Sequence, residues 1–346
     1  MYKISICGHF GGNKEFFDGQ TVKTKNIYSE LLNEYEKRDI NRIDTYQWKK
    51  HPINFLKECI TGIKNSRNVI ILPAHNGVRV FIPLFLLLNK VYKRKIFYIV
   101  IGGWLPEFLK KRNRLLKKVK ELDKVFVETN NMKDNLEKLG IKNTEILVNF
   151  KNITPLKESD LKLNYSKPYE ICTFSRVMKE KGIEDAINVV KKINEESNKI
   201  VYKLDIYGAI DKNYENRFKE IMKEMPEYIQ YKGCVSSEKS VSTLKSYYLL
   251  LFPTKFKTEG IPGTIIDALF AGVPIIASKW DNVNEVISDE RNGVIYKFDN
   301  LEDFEIKLKK CMDKDYVVKM KKNCLIDAMR FEKSNAIKNL TKEIEI

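Results

Sequence analysis

The stretch that decides the fold runs from Thr258 to Ser278 and reads Thr-Glu-Gly-Ile-Pro-Gly-Thr-Ile-Ile-Asp-Ala-Leu-Phe-Ala-Gly-Val-Pro-Ile-Ile-Ala-Ser. An apolar run at 248–252 precedes it, a Gly- and Pro-containing loop opens it, a helix is predicted from about Gly263, and an apolar run at 274–277 closes it. A strand, a crossover helix and a second strand in this order predict a parallel strand pair, because parallel strands need such a connection. The stretch therefore predicts an α/β fold.

The same alternation recurs along the rest of the chain. Short runs rich in Val, Ile and Leu predict strands near 3–8, 69–73, 96–102, 124–128, 145–148, 169–174 and 201–207. Helical periodicity occupies the segments 20–37, 106–121, 183–196 and 214–225. Strands that alternate with helices predict parallel sheets flanked by helices. We expect two Rossmann-like doubly wound domains that face each other across a cleft, followed by C-terminal helices.

Length and a break in the pattern indicate where the domains divide. The 346 residues suffice for two domains of ordinary size. A polar segment that carries Pro155 and Pro168 interrupts the alternation, as a linker does. We expect an N-terminal domain at 1–150, a linker at 151–168 and a second domain at 169–330. A C-terminal helix at 331–346 is expected to pack back on the first domain.

Composition narrows the class of protein. Hydrophobic residues make up 43% and charged residues 31%, as in a soluble globular protein. The longest apolar run, Val80 to Leu88, is far shorter than the ~20 residues of a membrane-spanning helix. The six cysteines are scattered without metal-site spacing, and the first residues do not resemble a secretion signal. These observations predict a cytoplasmic protein without a structural metal site.

The net charge of +16 is concentrated in the first half of the chain. Residues 1–150 hold 28 basic and 15 acidic side chains, whereas residues 151–346 hold 34 and 31. Twelve basic residues against three acids fall between Lys90 and Lys124, close after the apolar run. A cationic half favours polyanionic partners, although a generally lysine-rich composition would produce the same excess. We expect peripheral attachment to an anionic membrane surface through this cluster.

Two loops that follow predicted strands carry residues suited to phosphate. Arg176 and Lys181 follow the strand at 169–174, where a guanidinium fork and an ammonium can converge on one oxyanion. Gly12, Gly19 and Gln20 follow the first strand, where glycines permit close backbone approach and a helix begins. Solvated surface charge and an ordinary glycine turn are the alternative interpretations.

The deciding stretch adds a third candidate site. After Ile261 and Pro262, the amides of Gly263 and Thr264 begin a helix and can hold a diphosphate. Glu259 precedes this helix start, and Asp267 lies about one turn inside the helix. Two acids on either side of a phosphate site suit the recognition of sugar hydroxyls.

With these motifs, the sequence resembles the retaining glycosyltransferases of the group 1 family (glycosyltransferase family 4), which have two Rossmann domains in the GT-B arrangement. That family carries a Glu, seven residues and a second Glu, in a stretch similar to 259–278, together with an Arg and a Lys-Gly pair spaced like Arg176 and Lys181-Gly182. The resemblance covers most of the C-terminal half and is weaker over residues 1–150. The second Glu of the signature is Asp267 here, one methylene shorter.

The resemblance implies roles for these residues. Arg176 and Lys181 would bind the donor diphosphate, together with the helix start at Ile261, Pro262, Gly263 and Thr264. Glu259 would face the transferred sugar, Asp267 would bind the ribose, and Val235 would contact the base. Acceptor-side candidates in the first domain are Lys23, His75, Gly103 and Trp104. The histidine that many members carry after a central strand has no clear counterpart, and His75 follows a different strand.

The implied function is transfer, with retention, from a nucleotide sugar to a glycan or lipid-linked acceptor in cell-surface polysaccharide synthesis. A UDP-sugar is the favoured donor, and neither a cofactor nor a metal is expected, because the basic residues neutralise the diphosphate. Two alternatives remain: a sugar-nucleotide epimerase of the same fold, and a protein that binds an anionic polymer. Nucleic acid is not expected as a partner, since interleaved aromatic and glycine signatures of RNA binding are absent.

Overall fold

The chain forms two compact units, each built on its own six-stranded sheet. The computed structural model describes residues 1–14, 16 and 18–345. The first unit comprises residues 1–152 and 331–346, and the second comprises residues 153–330. The strands pair in parallel in both sheets. The expectation of two doubly wound α/β domains is confirmed.

In the first unit, strands and helices alternate from the first residues onward. The strands, in sheet order β2-β1-β3-β4-β5-β6, and the helices have these bounds: β1 Tyr2–Gly8, α1 Gly19–Glu34, β2 Ile40–Asp44, α2 Pro52–Lys64, β3 Ser66–Ile71, α3 Val78–Tyr92, β4 Lys95–Ile99, α4 Leu105–Lys110, α5 Asn113–Lys120, β5 Lys124–Val127, α6 Asn130–Lys138 and β6 Thr144–Ile146. The central strands are apolar on both faces, because helices cover both sides of the sheet.

The second unit repeats this architecture. Its strands, in sheet order β12-β11-β10-β7-β8-β9, and its helices have these bounds: β7 Tyr169–Phe174, α7 Ile183–Glu196, β8 Tyr202–Tyr207, α8 Glu215–Lys223, β9 Ile229–Gly233, α9 Ser240–Leu244, β10 Leu249–Phe252, α10 Gly263–Phe270, β11 Ile275–Ser278, β12 Gly293–Tyr296, α11 Leu301–Lys310 and α12 Lys314–Ala328. Strands β7 and β10 are neighbours at the centre of the sheet, which brings the loops that follow them together.

The two ends of the second unit show how the chain passes between the units. Within the expected linker 151–168, the Leu156 amide donates to the Phe270 carbonyl (2.8 Å) and the Tyr165 hydroxyl to the Tyr247 carbonyl (3.0 Å). These bonds attach the segment to the second unit. After α12, helices α13 (Lys333–Ala336) and α14 (Lys338–Glu345) return to the first unit, where Leu340 and Ile344 pack into its core.

The structure corrects several details of the predicted elements. Three strands, β2, β9 and β12, were not predicted, and all three lie at sheet edges, where a strand needs fewer apolar residues than in the centre. The single helix predicted at 106–121 is two helices, α4 and α5, separated at Lys111 and Arg112. In the described part of the chain, no helix has both the length and the apolar character needed to cross a bilayer.

Candidate active site

The candidate site of the second unit lies at the carboxyl edge of its sheet. Because β7 and β10 are parallel neighbours, the loops 175–182 and 253–262 leave the sheet at the same edge. The Lys255 amide donates to the Glu180 carbonyl at 2.7 Å and ties the two loops together. This edge carries the residues that were predicted to bind phosphate.

Gly182 allows the closest approach between these loops. Its φ is +67°, a left-handed conformation that side chains rarely adopt, and a Cβ built there would lie 1.9 Å from the Pro253 carbonyl oxygen. A glycine is therefore required beside Lys181. Helix α7 begins immediately afterwards, at Ile183.

Lys181 and Glu259 form an ion pair between the two loops. The Lys181 Nζ contacts Glu259 Oε1, and each side chain is 16% exposed. The ammonium also lies over the rings of Phe252 (5.2 Å) and Phe256 (5.1 Å). Glu259 and two aromatic faces thus hold the lysine at one place on the sheet edge, which preorganises its charge.

Two residues that the sequence analysis did not single out support Glu259. The Thr254 hydroxyl donates to Glu259 Oε1 at 3.1 Å, and the Asn282 side-chain amide donates to the Glu259 carbonyl. Ser278, at the end of β11, donates to the Thr254 carbonyl at 2.5 Å. Thr254 and Asn282 each follow a strand of this sheet, so their position after a strand is the signal by which they could have been found.

Arg176 differs from Lys181 in being open to solvent. Its side chain is 45% exposed, and its nearest acidic group is Asp211, 3.8 Å away. Backbone pairing of Val177 with Ile210 holds the two loops that follow β7 and β8 side by side. The guanidinium is therefore placed on an ordered loop and remains accessible to an anion.

Helix α10 begins beside the end of β7. The Thr264 hydroxyl donates to the Phe174 carbonyl, and the Ile265 amide donates to the Pro262 carbonyl at 3.0 Å. The amides of Gly263 and Thr264 belong to the first turn, where a helix has positive partial charge. The start of α10 therefore lies at the same sheet edge as Arg176 and Lys181.

The remaining second-unit candidates differ in accessibility. Asp267 lies on the inner side of α10 and is only 3% exposed, and Ile261 is also buried. Val235 is half-buried in the loop that follows β9. Asp267 is thus close in sequence to the helix start but enclosed by the unit's interior.

In the first unit, the glycine loop after β1 is organised by a residue that the sequence analysis missed. The amides of Phe10 and Gly12 donate to the two oxygens of Asp44, both at 2.9 Å, and Gly12 has φ +58°. Asp44 ends β2, one of the unpredicted edge strands. The Gly12 amide therefore already has an anionic acceptor within the protein.

The start of α1 holds a second network. The Asp18 carboxylate caps the helix by accepting from the Thr21 amide (3.0 Å) and hydroxyl (2.7 Å), and His9 Nδ1 lies 2.7 Å from the same hydroxyl. Gly19 has open space around its Cα, whereas the Gln20 side-chain amide donates to the Leu72 carbonyl at 3.3 Å. Of the three donor candidates in this unit, Gly19 is the least engaged.

Lys23 does not lie on the surface, as an acceptor-binding residue would. It forms an ion pair with Glu128, each side chain is 3% exposed, and its Nζ also donates to the Val100 carbonyl at 3.2 Å. Glu128 directly follows β5, so its placement after a strand could have indicated it. In the structure, Lys23 thus has its contacts within the protein, with Glu128 and the Val100 carbonyl.

The other acceptor-side candidates form an aromatic cluster. The exposed His75 ring packs against Trp104 (4.8 Å between centroids) and Phe108 (4.3 Å), and Trp104 Nε1 donates to the Ile101 carbonyl at 2.7 Å. Gly103, which precedes Trp104 in the chain, is buried. His75 and Trp104 are thus brought together on the surface of the first unit. Across the described ranges, no group of three His, Cys, Asp or Glu residues is placed to hold a metal ion.

The match to a family of known proteins falls on the second unit. Residues 157–327 match the family described as glycosyl transferases group 1. The match thus covers nearly half of the chain and falls within its second unit. The two parallel six-stranded sheets have the GT-B fold.

Individual relatives are distant. Over 150 residues the chain is 23% identical to an uncharacterized glycosyltransferase of Methanocaldococcus jannaschii, a match that covers 43% of this chain and 37% of that protein. The Anabaena protein Alr3699/HepE, solved in complex with UDP and glucose, superposes over 100% of both chains with a TM-score of 0.74 and 12% identity. The lipopolysaccharide outer core galactosyltransferase WaaB superposes over 99% of both chains with a TM-score of 0.67 and 16% identity. At these identities the likeness to the two solved structures establishes the fold alone.

Proposed function

We propose that the chain transfers a sugar, with retention of the anomeric configuration, from a UDP-sugar to a glycan or lipid-linked acceptor in the synthesis of a cell-surface polysaccharide. The observation that carries this proposal is the convergence of Arg176, Lys181 and the start of α10 at one edge of the second sheet. The complex of the Anabaena neighbour with UDP and glucose supports the donor class, and the name of the galactosyltransferase WaaB supports a surface glycan.

The proposed chemistry makes positive charge the main requirement. The bond between the anomeric carbon and the phosphate oxygen breaks, and negative charge develops on the departing diphosphate. Arg176, Lys181 and the amides of Gly263 and Thr264 stabilise that charge, so the site needs no metal ion for this step. The acceptor hydroxyl forms the new bond to the anomeric carbon and gives its proton to the departing phosphate.

The two acids are assigned different tasks. Glu259 faces the transferred sugar and positions Lys181 through their ion pair. Asp267 binds the ribose hydroxyls, and because it is buried, its contact with the nucleotide requires local movement of α10 or of the loop before it. Val235, together with Ile261 and Pro262, lines the base and diphosphate side of the donor.

The first unit is assigned the acceptor and part of the donor. His75 and Trp104 present an aromatic surface of the kind that packs against a sugar ring. Gly103, which precedes Trp104 in the chain, is assigned to the same acceptor side. Gly19 has room for a donor oxygen, whereas contacts at Gly12 and Gln20 require the hydrogen bonds to Asp44 and Leu72 to break. We assign Lys23 the task of holding Glu128 in place beside this region.

We further propose that the first unit attaches to the inner face of an anionic membrane. Leu87 and Val91 on α3 are 62% and 75% exposed, and most of the twelve basic residues between Lys90 and Lys124 are at least partly exposed. Each basic residue near an anionic leaflet contributes roughly 1 kcal/mol, and salt screens this attraction over ~8 Å at physiological ionic strength. Sedimentation with anionic vesicles must therefore weaken as salt is raised, and equal recovery with neutral vesicles contradicts the attachment.

A turnover assay tests the enzymatic proposal. The purified chain is incubated with UDP-, GDP- and ADP-sugars, with and without glycan and lipid-linked acceptors, and nucleotide release and product anomer are measured in the presence of EDTA. The proposal predicts release of UDP that depends on the acceptor, retention in the product and no loss of rate with EDTA. Conversion of the sugar without nucleotide release would indicate the epimerase alternative.

A further inference from the structure

A cavity in the first unit, away from the glycine loop, is surrounded by cations. It has a volume of about 570 Å³ and is lined by five basic side chains, Arg79, Lys111, Arg112, Arg114 and Lys118, with Asn113, Pro83 and Leu115 completing its wall. Among the residues that the structure describes, no acidic side chain lines it. The cavity is formed by α3 on one side and by the start of α5 on the other.

The five cations form no ion pair in the part of the chain that the structure describes. Among residues 1–14, 16 and 18–345, none of the five lies within ion-pair distance of an acidic side chain, whereas Lys110 next to them pairs with Glu107. Like charges around one cavity repel each other, and a bound anion removes that repulsion. The cavity therefore has the electrostatic character of a site for a multiply charged anion.

Arg112 is held in the geometry that such a site needs. Its guanidinium stacks on the Phe108 ring at 3.7 Å and donates to the Phe108 carbonyl at 2.9 Å, so part of its conformational freedom is already lost. The rings of His75 and Trp104 also pack against the Phe108 ring, with centroids at 4.3 and 5.3 Å. The cavity thus adjoins the aromatic cluster that is assigned to the acceptor.

An apolar stripe leads away from the cavity along α3. Pro83 lines the cavity, and Leu87 and Val91 follow at helical spacing on the same side, both strongly exposed. A phosphate with an attached hydrocarbon chain would place its charge among the cations and its chain along this stripe. A soluble phosphate ester would use the cations alone.

We infer that this cavity binds the phosphate group of a phosphate ester, and that the apolar stripe favours a lipid-borne ester as its source. A phosphate monoester suits several cations at once because it has three terminal oxygens and a charge of up to about −2, whereas a carboxylate has two oxygens and a single charge. The inference rests on the proposed function only in assigning this ester to the acceptor. The binding itself is testable without turnover.

The test compares two double variants of the full chain, with saturating UDP present so that the donor site does not contribute. K111Q/R114Q removes two exposed cavity cations and leaves Arg112 on Phe108. K90Q/K117Q removes the same charge from exposed positions of the same unit that do not line the cavity. Thermal unfolding establishes that both variants fold, and R79Q provides a second cavity variant from α3.

Three probes separate the sources of phosphate: phosphatidylcholine vesicles with phosphatidic acid, vesicles of matched surface potential with oleate, and glycerol 3-phosphate in solution. We expect the wild type to prefer phosphatidic acid over oleate, and K111Q/R114Q to lose that preference by roughly tenfold. K90Q/K117Q removes two cations of the cluster assigned to membrane attachment, so it should bind both kinds of anionic vesicle more weakly but retain the preference. If the wild type shows no lipid preference but K111Q/R114Q loses the glycerol 3-phosphate binding of the wild type, the site is supported and its ligand is a soluble ester.

Retention of both the lipid preference and glycerol 3-phosphate affinity in K111Q/R114Q and R79Q would overturn the inference, as would the absence of both in the wild type. Equal loss in the two double variants would also overturn it, because diffuse surface charge would then explain the binding. UDP binding is measured separately in the same samples. Absence of UDP binding would count against the proposed function but would not affect the conclusion about phosphate binding in the cavity.

Discussion

Lys181 and Glu259, 78 positions apart in the chain, form an ion pair that joins the loops after β7 and β10. The pair places a positive charge assigned to the donor diphosphate directly beside an acid assigned to the transferred sugar. Thr254 and Asn282 fix the acid, and two aromatic rings flank the lysine.

Removal of either basic group is expected to slow turnover without unfolding the protein. For Arg176→Ala and Lys181→Ala we predict a fall in kcat of about 100- to 1000-fold, the range seen when one preorganised charge-stabilising group is lost. Steady-state kinetics with the active donor measure the effect. Lys179→Ala, an exposed lysine of the same loop, is the control and should retain full activity. If the R176A/K181A double variant is nearly as active as the wild type, the assignment of these two residues to the donor diphosphate is wrong.

Substitutions of Asp267 and Glu259 are expected to affect different constants, the affinity for UDP in one case and kcat in the other. Asp267→Asn should weaken UDP binding by about tenfold with little change in kcat, since ribose contacts persist from the ground state to the transition state. Glu259→Gln should instead lower kcat, because it acts on the reacting sugar and on Lys181. Calorimetry with UDP and steady-state kinetics measure both. Indistinguishable behaviour of the two variants would contradict this division of tasks.

Lys23 is expected to matter for stability. Lys23→Met removes the ammonium that pairs with the buried Glu128 carboxylate, and breaking a buried pair typically costs about 3–5 kcal/mol. Urea denaturation should show this loss, and K23M/E128Q should recover part of it. If K23M folds as stably as the wild type and only acceptor affinity falls, Lys23 is an acceptor residue after all.

Lys321 on α12 is expected to make stability depend on pH. Burial lowers the pKa of its ammonium from 10.5 to about 8, and its Nζ donates to the Tyr247 carbonyl at 3.3 Å. Between pH 8 and 10.5 the folded state binds fewer protons at this group than the unfolded state, so its contribution to the free energy of unfolding rises with pH. Below pH 8 the buried charge costs about 3 kcal/mol.

Lys321→Met should therefore be more stable than the wild type at pH 7, and this advantage should shrink as the pH approaches 10. Urea denaturation of both proteins across this range measures the difference. Lys322→Met, at the adjacent exposed lysine that pairs with Glu158, is the control and should show no such trend. A stability difference that is constant with pH would mean that Lys321 does not titrate in this window.

The architecture and the second-unit motifs were predictable from the sequence because strong local signals encode them. Central strands such as β7 and β10 are continuous apolar runs, and Gly182 and Gly263 mark the positions where the chain must turn or begin a helix. Edge strands such as β2 carry polar residues on their exposed side, and so their pattern was missed. Asp44 lies at the end of β2 and was missed together with that strand. No local pattern reveals its contact with the Gly12 amide.

The burial of individual charged side chains also could not be predicted from the sequence. Lys23 lies on a helix that begins at a predicted glycine loop, and nothing in its neighbours along the chain indicates Glu128, 105 positions away. The cavity lined by basic side chains could not be predicted for the same reason. Arg79 and Arg114 line one cavity only because α3 and α5 pack together. Pairings between distant segments depend on the tertiary fold, and no local periodicity specifies them.

The most direct test of the central claim compares UDP with uridine by calorimetry, in the wild type and in R176A/K181A. If the second unit binds the donor through its diphosphate, the wild type should bind UDP at least about 100-fold more tightly than uridine, since each charged contact contributes roughly tenfold or more. The double variant should lose most of that preference while binding uridine as the wild type does. Equal affinity of the wild type for UDP and uridine, or an unchanged preference in the double variant, would contradict the account.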